Sequence, residues 1–279
     1  MPTRGKVSRY TEGVGWDSVG YKYDNPAEKA LLDYEADLLP LLDVFSNNSP
    51  IPSQNPPEND YFEQFSAADF QLGKAVESGG GTPETLKRVK SSLNAFVQRV
   101  LKSQPKAIVV TDLGDIIENM FNVPAHQLST NDLDLVAQIR TARRLMLEVV
   151  LTLAPLAPEL YYVSVPSNHG QVRTGPKGNV GGIDNDFGLD ISYQIEDVIT
   201  HSAVNNVQFV RPEPFHETAV LDLCNTRVAY NHGHRTSGGQ RGHDKYWANQ
   251  DHGRMPGWDA DIFFFAHYHT FCIEQSGDQ

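Results

Sequence analysis

The sequence is short of positive charge, poor in cysteine and free of long apolar runs, and each shortage narrows what the chain can do. Lys and Arg number 23 against 35 Asp and Glu, a formal net charge of -12. A broad nucleic-acid-binding face needs clustered cations to meet phosphates, so any anionic ligand has to be met locally. Two cysteines, Cys224 and Cys272, form no C-x-x-C pair and suggest no disulfide framework, so reduced thiols are expected. No stretch approaches the roughly 18 apolar residues of a spanning helix, and the opening MPTRGKVSRY lacks the apolar segment of a secretory leader. The expectation is a soluble, cytoplasmic protein with no membrane partner.

What is present suffices for a sizeable core: 279 residues, 39% of them hydrophobic, fit one large domain with an appendage. Residues 1–60 read as an N-terminal extension and linker, and residues 61–279 as the domain. In the extension, GVGWDSVGYKYD alternates like a strand, NPAEKALLDYEADLLPLLDVF has a helical pattern, and NNSPIPSQNPPEND is a Pro/Asn linker.

From Tyr61 onward strands and helices alternate. Thr82 and Pro83 form an N-cap and first-turn pair ahead of Leu86, Val89, Leu93, Phe96 and Val100 at helical spacing. AIVVTDL (107–113) reads as a buried strand, 131–153 as a long helix, and LYYVSVP (160–166) as the next strand. TAVLDLCNTRVAYN suggests two strands turning at Cys224-Asn225, and DIFFFA (261–266) reads as a last, buried strand. Alternation followed by a hairpin predicts a mixed sheet in an α/β layered fold.

Chemistry gathers where these strands run out, the place where open α/β sheets bind ligands. SAADFQLGK carries Asp69 and Gln71; VVTDLGDIIEN carries Asp115; VPSNHG carries Asn168 and His169; VAYNHGH carries His232 and His234; AHYH carries His267 and His269. On an extended chain, positions two apart point the same way about 6.6 Å apart, so His267 and His269 could serve two ions. Each feature alone has a plain structural explanation: Asp115 as the cap of a helix from Ile116, Asn168-His169-Gly170 as a turn, Gln71 as a solvated loop residue. Five strand ends bearing residues that ligate borderline and hard cations outweigh those explanations together. The glycines at 79–81 lack the following Gly-Lys-Ser/Thr of a phosphate loop and read as a flexible loop.

The series D-x-[H/Q], G-D-x-x-[E/D], [G/S]-N-H, H-G-H and [G/A]-H-x-H, spanning residues 64–270, resembles the calcineurin-like metallophosphoesterases. The D-x-Q-x-G-K opening, the GGGT loop and the H-G-H-rich segment look most like members encoded by tailed bacteriophages, whose location is the host cytoplasm. The resemblance implies an α/β fold of two packed mixed β-sheets flanked by helices. It assigns Asp69, Gln71 and His269 to one divalent metal and Asn168, His232 and His267 to a second, with Asp115 bridging. His169 would contact the phosphate and aid the leaving group. His234, Arg235 and Arg241 are candidates to contact substrate.

The implied chemistry needs no Ser or Cys nucleophile. Between two divalent ions the pKa of a bridging water falls from about 15.7 toward about 7, and the hydroxide can attack phosphorus in line. Gln71 stands where histidine is commoner, which tilts that site toward Mn²⁺ or Mg²⁺ over Fe²⁺ or Zn²⁺ and makes Mn²⁺ the expected ion. Ser167 and Ala266 stand where glycine is commoner. Ten residues follow His269, so the C-terminal edge strands of such a sandwich are expected to be missing. The expected activity is a two-metal phosphodiesterase, a phage nuclease acting on a single strand or a nucleotide. The alternatives are a phosphomonoesterase on nucleotides or phosphoproteins and a catalytically silent metal-binding scaffold.

Overall fold

The computed structural model describes residues 3–11, 15–23, 60–75, 80–121, 130–174, 180–236 and 242–273. The helical pattern at 25–45 and nearly all of the Pro/Asn linker lie outside them. In the extension, β1 (Thr3–Thr11) and β2 (Gly15–Tyr23) pair as an antiparallel hairpin.

The domain is α/β, with two sheets. β3 (Phe62–Ala67), β4 (Ala107–Asp112), β5 (Glu159–Ser164) and β6 (Val207–Val210) lie side by side in that order, all parallel. Helices α1 (Gly81–Ser103), α2 (Leu135–Leu153) and α3 (Phe187–Thr200) fill the connections. The sequence suggests two mixed sheets; this one is wholly parallel because each successive strand is reached through a helix-bearing crossover. The second sheet is mixed: β7 (Ala219–Leu223) pairs antiparallel with β8 (Thr226–Tyr230), and β8 pairs parallel with β9 (Ile262–Phe264), after α4 (Gly242–Gly253). The β7–β8 turn falls at Cys224-Asn225, both left-handed (φ 51 and 57), as a tight two-residue hairpin requires.

β4 is the shared wall of two cores, and all six of its residues are buried. Ile108 and Val110 face the helices with Phe65, Leu93, Leu145, Tyr162 and Ile195. Ala107 and Val109 face the second sheet with Val163, Leu221, Val228 and Tyr230. The period of two that sends successive side chains to opposite faces therefore produces a helix layer, a parallel sheet and a mixed sheet. No described helix is long and apolar enough to cross a membrane.

Three boundaries differ from the sequence reading. α1 starts at Gly81, and Thr82 lies inside its first turn; the carboxylate of Asp132 accepts from Thr82 N (2.7 Å) and caps the helix from outside. α2 starts at Leu135 rather than 131, because Asp134 is extended and its side chain accepts from Ala137 N at 2.8 Å. The FFF run is half-buried rather than buried: β9 is an edge strand, with Phe264 stacked on Tyr230 and Phe263 on Phe265.

Truncating the shared wall should be felt throughout. Ile108→Ala should lower unfolding stability by about 2–5 kcal/mol in denaturant titration. A loss below about 1 kcal/mol would show that β4 is not the packing centre.

Candidate metal centre

β3, β4 and β5 end level with one another, with Ala67 beside Asp112 and Asp112 beside Ser164. The loops that leave them remain bonded. Leu113 N donates to Ala67 O (2.8 Å), Val165 N to Asp112 O (3.1 Å), Asp69 N to Gly114 O (3.1 Å) and Gln71 N to Asp115 O (2.8 Å). Five candidate ligands take left-handed backbone: Asp69 (φ 53), Gln71 (φ 43), Asp115 (φ 52), His267 (φ 73) and His269 (φ 50). Such φ values are uncommon outside glycine and concentrate at functional sites. Two sequence expectations change accordingly. Asp115 caps no helix, and His267 and His269 are not aligned on a strand, which stops at Phe264.

Asp115, His232 and His267 each offer a ligand atom within 4.8 Å of the others. His232 is fully buried, and its Nδ1 donates to Leu113 O at 2.8 Å. Its Nε2 faces two oxygens, Asp115 Oδ2 at 3.1 Å and Asn168 Oδ1 at 3.0 Å. That geometry is met by a proton on Nε2 or by a cation shared among the three groups. Burial opposes the charged imidazole most strongly, yet Asp115 and Asp69 together outweigh it and raise the His232 pKa. Burial also works against the Asp115 carboxylate, but hydrogen bonding and charge from His232, with help from His169, hold its pKa below the ordinary range. The donor set, one carboxylate, two imidazoles and an amide oxygen, suits a borderline divalent cation.

Asp69 and His269 stand beside this cluster. Asp69 Oδ2 accepts from His267 N (3.2 Å), while buried Oδ1 has no hydrogen-bond partner and lies 3.4 Å from His269 Nε2. Burial raises the Asp69 pKa, so a carboxylate there favours a positive neighbour. Gln71 is buried close by, but its amide oxygen accepts from Lys74 Nζ at 2.8 Å and its nitrogen faces His169 Nε2 at 3.5 Å.

His169 is held on several sides. Its backbone N donates to Asp115 Oδ1 (2.8 Å), and its Nδ1 donates to Glu118 O (2.8 Å) with Glu118 Oε2 at 3.4 Å. Asn119 Nδ2 donates to His169 O at 2.6 Å. The turn that carries it is further anchored by Asp186, a residue the sequence reading leaves unassigned. Asp186 Oδ2 accepts from Ser167 N (2.9 Å) while Oδ1 caps α3 through Gly188 N (2.7 Å) and Leu189 N (3.2 Å). An Asp ahead of an apolar period of 3.6 is a readable start signal, here set in a Gly/Asn-rich stretch. Asp112, equally buried, accepts from Gly114 N at 3.1 Å. Burial, with a smaller contribution from neighbouring carboxylates, pushes both Asp112 and Asp186 up to about 7.

The remaining candidates are placed differently. His234 is buried beside His232, ring centroids 5.5 Å apart, and burial pushes it down to about 3. Arg235 is paired with the largely buried Glu217, Nε to Oε1 2.6 Å. Arg241 lies outside the described residues. A groove of about 320 Å³ reaches Asp69 from the α1 side, lined by Phe65, Phe70, Thr85 and Arg88.

Neither a family model nor a curated protein matches this chain.

Two outcomes are expected from this geometry. A Cβ on Gly114 (φ +93) would lie 2.5 Å from Ser167 Cβ and 2.8 Å from His232 Nδ1. Gly114→Ala should therefore weaken Mn²⁺ binding by about 10- to 100-fold in calorimetry, the usual effect of disturbing groups that orient ligands; an unchanged isotherm would mean that the loop does not set the site. The second outcome concerns pH. Asp112 and Asp186, raised from 3.8 to about 7, stay protonated in the fold at pH values where the unfolded chain has released those protons. Their stabilisation is complete below about pH 4 and is lost as pH rises to about 7, by up to about 1.4 kcal/mol per pH unit for each group. Asp112→Asn retains the acceptor for Gly114 N and removes one titration. Its Tm, in metal-free protein, should fall less between about pH 5 and about pH 8 than that of the wild type; parallel profiles would remove Asp112 as a titrating group.

Proposed function

We propose that this chain is a metal-dependent phosphodiesterase of the calcineurin-like metallophosphoesterase kind. The observation that carries the reading is the convergence of Asp115, His232 and His267 within 4.8 Å, at a strand-end surface that also presents His169. Asp115, His232, His267 and Asn168 would hold one divalent cation, and Asp69 with His269 provides a carboxylate and an imidazole for a second. A cation bound there supplies Lewis acidity and makes hydroxide available near neutral pH.

The chain's own residues do the rest. His169, with Nδ1 donating to Glu118 O, holds its Nε2 beside the Gln71 amide, where the ring can contact the phosphoryl group and aid the departing oxygen. Glu118 Oε2 lies 3.4 Å from Nδ1 and Asp115 Oδ2 3.9 Å from Nε2, so carboxylates flank both ring nitrogens. Leu113 O fixes the His232 tautomer by accepting from Nδ1, leaving Nε2 as the ligating atom. With Arg235 neutralised by Glu217 and a net charge of -12, small or single-stranded phosphodiesters fit better than a duplex.

Turnover of bis-para-nitrophenyl phosphate should require Mn²⁺, cease with EDTA and exceed turnover of the monoester. Faster monoester hydrolysis would make the chain a phosphomonoesterase; metal binding without turnover would make it a scaffold; full activity after chelation would sink the metal mechanism altogether. Asp115→Asn should lose metal and activity together. His169→Ala should retain metal, measured by plasma mass spectrometry, while kcat falls about 10²- to 10⁴-fold. Equal metal loss in both variants would contradict the role given to His169.

A further inference from the structure

Lys74 is drawn into the site by contacts that the metal chemistry does not require. Its backbone is fixed: Lys74 N donates to Gln71 O at 3.0 Å, and the residue bridges Asn131 across the α2 approach. Its ammonium donates to Gln71 Oε1 at 2.8 Å and lies 3.8 Å from Glu118 Oε2. That Glu118 oxygen is buried and accepts no hydrogen bond. The Lys74 side chain is 31% exposed, so solvent and solutes reach it.

These contacts decide how Gln71 is turned. An amide that accepts from an ammonium at its oxygen must direct its NH₂ the other way, here toward His169 Nε2. A ring nitrogen facing an NH₂ is the acceptor, which agrees with His169 donating from Nδ1 to Glu118 O. Lys74, Gln71 and His169 thus form a line running from a cation to the imidazole proposed to aid the leaving group. An ammonium is a compact point charge with three rotatable donors, suited to an anionic oxygen that arrives and leaves. Its shorter contact is to the neutral Gln71 oxygen, and the Glu118 carboxylate stands farther off at 3.8 Å.

We propose that Lys74 is a substrate-contacting cation whose ammonium receives a non-bridging phosphoryl oxygen next to His169, and that Gln71 is the residue that parks it. The ligand is a phosphate monoanion or dianion, free or as part of a phosphodiester. The proposal rests on the phosphodiesterase reading for its chemistry, but phosphate binding tests it without turnover.

The test uses the full chain loaded with Mn²⁺, titrated calorimetrically with inorganic phosphate, and compares wild type, Lys74→Met and Lys74→Arg. Lys74→Met should bind Mn²⁺ with equal or greater affinity, because it removes a positive neighbour. Its phosphate Kd should rise about 10- to 100-fold, the range for losing a hydrogen bond from a charged donor. Lys74→Arg should recover most of that loss. A phosphate Kd within twofold of wild type in the Met variant, Mn²⁺ binding lost in step with it, or no phosphate binding by the wild type would overturn the proposal. Wild type that binds phosphate through Lys74 yet turns over no ester would sustain the Lys74 site and defeat the functional reading. Turnover that survives Lys74→Met unchanged, with an unchanged phosphate Kd, would do the reverse.

Discussion

Asp115 is bonded in four directions, and the arrangement of the site depends on it. Its backbone N donates to Ser167 Oγ (2.9 Å) and its carbonyl accepts from Gln71 N (2.8 Å). Oδ1 accepts from His169 N and Oδ2 meets His232 Nε2. One residue therefore ties the loops after β3, β5 and β8 to the loop after β4. It can do so only because φ 52 swings its carboxylate back over the sheet end, and Gly114 (φ 93) allows the preceding turn to pass between Ser167 and His232. The level ends of the parallel strands bring these loops into reach, and helices behind the sheet make the strands parallel in the first place.

Much of this layout is legible in the sequence, and the illegible parts have physical reasons. AIVVTD reads as a strand because the five apolar or β-favouring residues before Asp112 admit little else, and α1 reads as a helix from its Leu86-to-Val100 period. β6 escapes because VQFV is a short run of three half-buried residues around the exposed Gln208. α4 escapes because only Gly242 is buried among its residues, so no apolar stripe marks it. At the site, residue types at strand ends predict which side chains gather. They do not predict rotation. The contact of Gln71 with His169, 98 residues on, and the burial of His234 depend on neighbours distant in sequence, which no local pattern encodes.

The charge balance of the chain looks different from inside. The chain carries an overall surplus of acid, and a concentrated share of it sits under the strand ends: Asp69, Asp112, Asp115, Glu118 and Asp186, all largely or wholly buried. Against them stand His232, raised by its carboxylate neighbours, and Lys74. Of these five, only Asp115 has its pKa lowered; burial raises that of the other four. The strand ends thus gather carboxylates that a positive charge would stabilise.

If the site takes a divalent cation as proposed, folding itself would be a form of ion sensing. A ligand that binds the native state and not the unfolded chain adds RT ln(1 + [L]/Kd) to stability, about 2.7 kcal/mol when the ligand is at a hundred times its Kd. Against a typical stability of about 5–15 kcal/mol, such an increment changes the unfolded fraction by roughly two orders of magnitude. In a cell the lifetime of this chain against proteolysis would then track the supply of divalent cation: starved chains would be cleared, and the population that survives would already be loaded.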